Sequence, residues 1–325
     1  PGMMLAPLRV AVVGAGVMGR YHAMNYATMP RVDLVAVVDT DPIRREEMRS
    51  TYGCHTYETV EELLANEQID AASVAVPTYL HYSVALTLLE ADVHVLVEKP
   101  VATEMSQARA LTDLSRQRDR VLQVGHITRF YEAVQMLSRH VDEPYLIEAR
   151  RLVPSERVRD VGVVLDLMIH DIDIVLGLVG GKPLGVTAAG HALNGSPHED
   201  VAAAQIVFDN GCIARFLASR VSPDSERSLL VAEKNQTIRV DFAKEPYTEV
   251  FIYRAPKAGA NIGHVKLDRH VVHEENPLRR ELEHFVARIR RDAAPIGTLD
   301  DDVRSLALAT TLLNKIHAST PAVAL

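Results

Sequence analysis

The sequence predicts an α/β chain: a doubly wound parallel sheet, followed by an α+β region on an open, mainly antiparallel sheet. Three observations carry this reading. Short apolar runs alternate with helical segments through residues 1–124, a glycine-rich turn follows the first run, and beyond Gly125 the texture changes to period-2 alternation. Parallel strands buried on both faces show no alternation, whereas a sheet covered on one face does. A length of 325 residues exceeds one ordinary core, so two domains are expected, 1–124 and 125–325, with the late helices able to pack back on the first.

In the first region the expected strands are Leu8–Val13, Leu34–Val38, Ala71–Val76, His94–Val97 and Val121–Val124, with a weaker one at Cys54–Tyr57. Helices fill the gaps. Asp41-Pro42 is a capped start with proline at the first helical position, and Thr59 and Thr103 can cap two more. The βαβ series is that of a Rossmann dinucleotide-binding domain. In the second region a helix is expected from Phe130 to about His140. Strands follow at Tyr145–Val153, Val201–Phe208, Ile213–Val221, Thr237–Phe242 and Val250–Tyr253, with a helix over Val163–Leu178. Leu278, Leu282, Phe285, Val286 and Ile289 share one face of a late helix. The last helix, about Asp301–His317, carries Asp300, Asp301 and Asp302 where the dipole favours acids.

Composition narrows the classes of function. Hydrophobic residues make up 47% and charged residues 24%, as in a soluble globular protein, and the formal charge of −8 argues against nucleic acid as partner. No apolar run approaches the roughly 20 residues of a membrane span, and the start lacks the pattern of a signal peptide. Cys54 and Cys212 are read as free thiols of a reducing, cytoplasmic compartment.

Gly14-Ala15-Gly16-Val17-Met18-Gly19 follows a strand and opens a helix, the context that gives this pattern meaning. Gly14 permits the tight turn, Gly16 lets backbone approach a pyrophosphate, and Gly19 lets the helix pack closely. Asp39 ends the second strand, where an acid accepts from the ribose hydroxyls; with no Arg or Lys before Arg44, NAD is favoured over NADP. Val76-Pro77-Thr78-Tyr79-Leu80-His81 follows the fourth strand, so Pro77, Thr78 and His81 are cofactor-side candidates, with helix capping as the alternative for His81. Glu98-Lys99-Pro100 ends the fifth, and there Lys99 can reach both nicotinamide and substrate.

Asp166 and His170 stand four residues apart on one helix face. Oxidising an alcohol requires a base for the hydroxyl proton, and histidine suits because its ordinary pKa lies near neutrality. Asp166 can orient the ring or bind a substrate hydroxyl, and Lys99 can stabilise the developing alkoxide or share in a proton relay. Neither an HExxH pattern nor a cysteine cluster is present, so no metal is expected.

The ordered set of the glycine turn, Glu98-Lys99-Pro100 and Asp166-x-x-x-His170 resembles the glucose–fructose oxidoreductase / inositol dehydrogenase (Gfo/Idh/MocA) family over nearly the whole chain. The resemblance implies Lys99, Asp166 and His170 as the catalytic set, and pairing or tetramerisation through the face of the second sheet. A narrower resemblance joins Gly125–Phe130 and Arg159–Asp166 to bacterial UDP-N-acetylglucosamine 3-dehydrogenases, which oxidise the sugar 3-hydroxyl ahead of transamination and supply a 3-amino sugar for lipid A. Tyr131-Glu132 departs from the Asn-Pro-like continuation of that group. On this reading a partner aminotransferase consumes the product. His126, Arg129, Arg157 and Arg159 join Lys99, Asp166 and His170 as substrate-binding candidates, the arginines because guanidinium groups hold a diphosphate well. The alternatives are a dehydrogenase of a free sugar or inositol and, in another class, a non-catalytic NAD-binding regulator.

Overall fold

The computed structural model describes residues 6–154, 160–193, 195–255 and 265–319. The chain divides into two compact units: Pro1–Ile127 with Leu278–Val303, and Thr128–Pro277 with Arg304–Leu325. The sequence division at 124/125 therefore moves by a few residues, and a late segment is counted with the first unit.

The first unit is a six-stranded parallel sheet in the order β3-β2-β1-β4-β5-β6. Its elements alternate as β1 (Leu8–Val13), α1 (Val17–Ala27), β2 (Val32–Val38), α2 (Pro42–Tyr52), β3 (His55–Tyr57), α3 (Val60–Asn66), β4 (Ala71–Val74), α4 (His81–Glu90), β5 (His94–Glu98), α5 (Met105–Gln117) and β6 (Leu122–Gly125). This order places β1 and β4 side by side, and the strand order reverses between them. That is the crevice where doubly wound sheets bind ligands. Two caps form as the sequence indicates. Asp41 accepts from the Ile43 N–H at 2.8 Å, and Thr59 accepts from the Glu62 N–H at 3.2 Å. Thr103 does not cap α5; the cap position falls on Glu104, and the Thr103 hydroxyl donates to Gln107 Oε1 instead. The core gathers Val10, Val12, Tyr26, Leu34, Val37 and Leu96 with Leu278, Leu282, Phe285 and Val286 of the late helix Pro277–Ile289. Full burial of side chains of this size stabilises by about 1.5–3 kcal/mol each, which explains why that helix belongs here.

The second unit contains α6 (Glu132–His140), β7 (Pro144–Pro154), α7 (Ile169–Val179), β8 (Pro183–His191), β9 (Val201–Phe208), β10 (Ile213–Ser219), β11 (Val221–Glu233), β12 (Gln236–Lys244), β13 (Tyr247–Arg254) and β14 (Lys266–His273). The sheet order is β14-β13-β12-β11-β7-β10-β9-β8. Every pairing is antiparallel except β7 with β10. Along β9, Ala202, Ala204, Ile206 and Phe208 are buried while Ala203, Gln205 and Val207 face outward, as a sheet covered on one side requires.

Three strands escaped the sequence reading. β8 and β14 are edge strands, one poor in β-formers (Leu184-Gly185, Ala188-Ala189-Gly190) and one studded with charge. Both are ways of blunting an edge. β11 opens with Ser222-Pro223-Asp224, which reads as a turn, and its register with β7 shifts between Val221 and Glu226. The expected helix over Val163–Leu178 is two pieces, a π-helical turn at Val164–Met168 and then α7.

Candidate active site

In the first unit the cofactor cradle is built from backbone. Gly14 takes φ +93°, and a Cβ there would come within 2.5 Å of the Ala75 carbonyl oxygen; at Gly19 it would lie 1.7 Å from that of Gly14. Nothing lies within 4 Å of a Cβ at Gly16, so only there is the loop open. Gly16 also ends the loop at the start of α1 with no side chain capping the helix. The orphan N–H groups of that first turn, around Val17 and Met18, are left for an anion. Asp39 is buried and braces this loop: Oδ2 accepts from the Ala15 N–H at 2.7 Å and Oδ1 from the Asp41 N–H at 2.8 Å. An ionised carboxylate has about four acceptor positions, so both oxygens can still take ribose hydroxyls. These features fit the nucleotide half of a nicotinamide cofactor.

Past β4, Pro77 leads into a short helical turn, Thr78–Leu80, with Thr78 buried. His81 opens α4, but neither ring nitrogen faces outward. Nδ1 meets the Pro100 carbonyl oxygen at 2.7 Å and Nε2 that of Val76 at 3.0 Å. Both nitrogens of this cofactor-side candidate are thus engaged by backbone carbonyls on its own side of the sheet. At the end of β5, Glu98 takes a hydrogen bond from His22 Nε2 at 2.8 Å. Burial alone would push the Glu98 carboxyl up; the His22 bond and the charges of His22, Lys99 and His81 outweigh it and hold the group below the usual carboxylate range. Lys99 is half-buried, and the Lys99–Pro100 peptide is cis. His126 is buried, with Nε2 3.6 Å from an oxygen of Asp302.

In the second unit Asp166 lies in the π-helical turn and His170 in the first turn of α7. Both are half-exposed, while Val163, Val164, Leu165, Met168 and Ile169 are buried, so the pair lies toward the open side of the segment. Uniform helical spacing missed the π turn, a distortion that recurs at functional sites.

Long-range polar contacts hold this segment. Glu199 is buried; its carboxylate accepts from the Val164 N–H at 3.0 Å, and its carbonyl accepts from the Val163 N–H at 3.0 Å. Arg220 pairs with Asp200 at 2.6 Å and donates to the Val161 carbonyl at 2.9 Å. Arg151 and Asp171 form a buried pair, with Nη2 2.7 Å from Oδ1. Burial would lower the Arg151 pKa, but Asp171 more than offsets it and the guanidinium is held above its ordinary value.

Arg129 binds Asp173 through two bonds of 2.8 and 2.6 Å, and Ser305 donates to the same carboxylate at 2.9 Å. Arg129 is therefore held by a carboxylate of its own unit, with Nε and Nη2 both committed to Asp173. Arg157 and Arg159 lie outside the described residues. The sequence reading missed Glu199, Asp200, Arg151 and Arg220; no local motif marks them, because their partners stand 20 to 59 positions away.

Comparison with known proteins agrees with both halves. Residues 8–126 match an oxidoreductase family with an NAD-binding Rossmann fold, and residues 132–243 match the GFO/IDH/MocA C-terminal domain. A UDP-N-acetylglucosamine 3-dehydrogenase of Acidithiobacillus ferrooxidans is 36% identical over 237 residues, 72% of this chain and 74% of that protein. A solved structure of a UDP-N-acetylglucosamine 3-dehydrogenase from that organism superposes with a TM-score of 0.87 at 32% identity, covering 96% of this chain and 98% of the other. The scyllo-inositol 2-dehydrogenase (NAD(+)) of Bacillus subtilis is 27% identical over 334 residues, 97% of this chain and 95% of its own. With both domains matched in order, the chain belongs to the GFO/IDH/MocA family of NAD-binding oxidoreductases.

Proposed function

We propose that the protein is an NAD-dependent dehydrogenase that oxidises a secondary hydroxyl of a sugar ring, the 3-hydroxyl of UDP-N-acetylglucosamine. The observation that carries this reading is the likeness to the A. ferrooxidans enzyme, at 32% identity across 96% of the chain. Bound NAD supplies the hydride acceptor. The first unit would hold it through the N–H groups after Gly16 and the carboxylate of Asp39. Asp39 also supports NAD over NADP, because a 2′-phosphate would meet its charge.

The protein's own groups then manage the proton. The Nδ1 of His170 is buried, which leaves Nε2 as the nitrogen to accept the hydroxyl proton. Asp166, four residues before it on the same segment, would orient the imidazole. Lys99 stabilises the alkoxide as it develops. Arg129, Arg157 and Arg159 remain the candidates for holding the diphosphate. The ketone formed at the ring is the substrate a transaminase needs, so a partner aminotransferase belongs to the same proposal.

A second reading, oxidation of inositol or a free sugar, draws on the B. subtilis relative, which matches over nearly the full length. The two separate in one assay: absorbance at the reduced-nicotinamide band after mixing protein, NAD and sugar, with an amine donor and aminotransferase added in parallel. NADH forming with UDP-N-acetylglucosamine but not with glucose or inositol is the expected result. NADH with inositol alone selects the second reading. NAD binding without turnover on any of them points to a regulator.

A further inference from the structure

The turn that carries Lys99 is tied down by a buried histidine with an unusual demand on its protons. His81 is 2% exposed, and each of its ring nitrogens lies at hydrogen-bond distance from a backbone carbonyl oxygen, Pro100 O at 2.7 Å and Val76 O at 3.0 Å. A carbonyl oxygen can only accept. A neutral imidazole has one N–H and would turn its other lone pair on the second carbonyl. Both bonds form together only when both nitrogens carry hydrogen.

We infer that His81 is an imidazolium clamp, joining the loop after β4 to the Lys99–Pro100 turn after β5 and so positioning Lys99. The role rests on the reading of Lys99 as a working group. His81 is thereby a positioning residue, acting through the backbone of the turn and not by touching substrate or cofactor.

The surroundings supply a counter-charge. The carboxylate of Glu98, one residue before Lys99, lies within electrostatic reach of His81 as well as of His22 and Lys99. A buried cation with two charge-assisted bonds and a nearby carboxylate satisfies the conditions under which burial of charge is tolerated. The geometry also explains the residue type. Donors on opposite edges of one rigid ring span two carbonyls at Val76 and Pro100, which stand 24 positions apart, without a flexible stem.

The first test needs no substrate. In imidazole-labelled protein at neutral pH, 15N NMR should show both His81 nitrogens in the protonated range, each with a slowly exchanging N–H; the His81→Gln spectrum assigns them. One protonated and one bare nitrogen overturns the proposal, whatever the enzyme oxidises. The second test is kinetic. His81→Lys keeps a cation with several donors, His81→Gln can serve one carbonyl, and His81→Phe serves none. The expected order of kcat is Lys, then Gln, then Phe, with a loss of about 10²-fold at Phe, the scale of a small misplacement of a reacting group. KM for NAD should move less than threefold throughout. Equal losses in all three variants, or a loss confined to KM for NAD, overturns the clamp. If His81→Phe does not fold, the Lys and Gln variants decide between the same outcomes.

Discussion

The two units hold their functional groups by opposite means. In the first, the cradle is backbone: a glycine turn, an uncapped helix start and a carboxylate bonded to main-chain N–H groups within a few residues of the loop or strand it braces. In the second, Asp166 and His170 stand on a distorted helix steadied by side chains distant in sequence, from β7 and from the segments beside β9 and β10, through Glu199, Arg220–Asp200 and Arg151–Asp171. Backbone cradles fail by steric intrusion, whereas ion-paired scaffolds fail by loss of a partner. That difference can be put to experiment.

The largest effect should come from the smallest added group. Gly19→Ala places a methyl 1.7 Å from the Gly14 carbonyl oxygen, so the turn and α1 must move apart. A loss on the order of 4–5 kcal/mol is expected in urea unfolding, with NAD binding abolished. Gly16→Ala is the control, since its methyl meets nothing within 4 Å. Its midpoint should stay at the wild-type value while NAD affinity drops about tenfold, because the methyl occupies the path of the pyrophosphate. Equal destabilisation of both variants would remove the claim that the loop is open only at Gly16.

In the second unit the sensitive point is a charge. Asp171→Ala strands the buried Arg151 guanidinium and should cost about 3 kcal/mol, the usual penalty for breaking a buried pair. The double change Arg151→Met/Asp171→Leu removes both charges and should recover most of that loss in the same unfolding measurement. If it recovers stability but not turnover, the pair is kept to place α7 and not for stability alone. If neither variant is destabilised, the contrast between the two units loses its basis.

The same contrast explains what could be read from sequence. Gly14, Gly16, Gly19 and Asp39 announce themselves because each acts within a strand–turn–helix unit, where spacing is geometry. Glu98-Lys99-Pro100 is likewise local, although the tie from His81 to Pro100 spans 19 residues and left no trace. Asp166 and His170 were visible as a pair, but the π turn that carries Asp166 was not, because apolar periodicity over Val163–Leu178 is the same for either helix to within a residue. Arg129 was read by its charge alone, and only the fold supplies Asp173, 44 residues on, as its partner. Edge strands β8 and β14 stayed hidden for a related reason: the residues that protect an edge are those that weaken a strand signal.

Acid should separate the units again, with a smaller effect. His94, at the start of β5, accepts from the Val121 N–H through Nδ1 at 2.8 Å, and protonating that nitrogen would break the bond. Burial first, and then the charge of Arg120, push its pKa down to about 4 from an ordinary 6.5. Since the folded pKa is depressed, the unfolded chain takes up the proton first. Stability is fully present above about 6.5 and is lost as the pH falls toward 4. The ring is partly exposed, so solvent screening reduces the effect to on the order of 1 kcal/mol. Asp200 works lower on the scale. Burial would raise its carboxyl, but the Leu193 N–H and Arg220 hold it below the ordinary carboxylate value, so its contribution is lost only as the pH falls through that lowered value. Urea midpoints followed from pH 7 to 4 should therefore fall in the wild type and flatten in His94→Asn, which keeps an acceptor but cannot titrate. An unchanged slope in that variant would place the acid sensitivity in groups other than His94, such as the lowered carboxyls of Glu98 and Asp200.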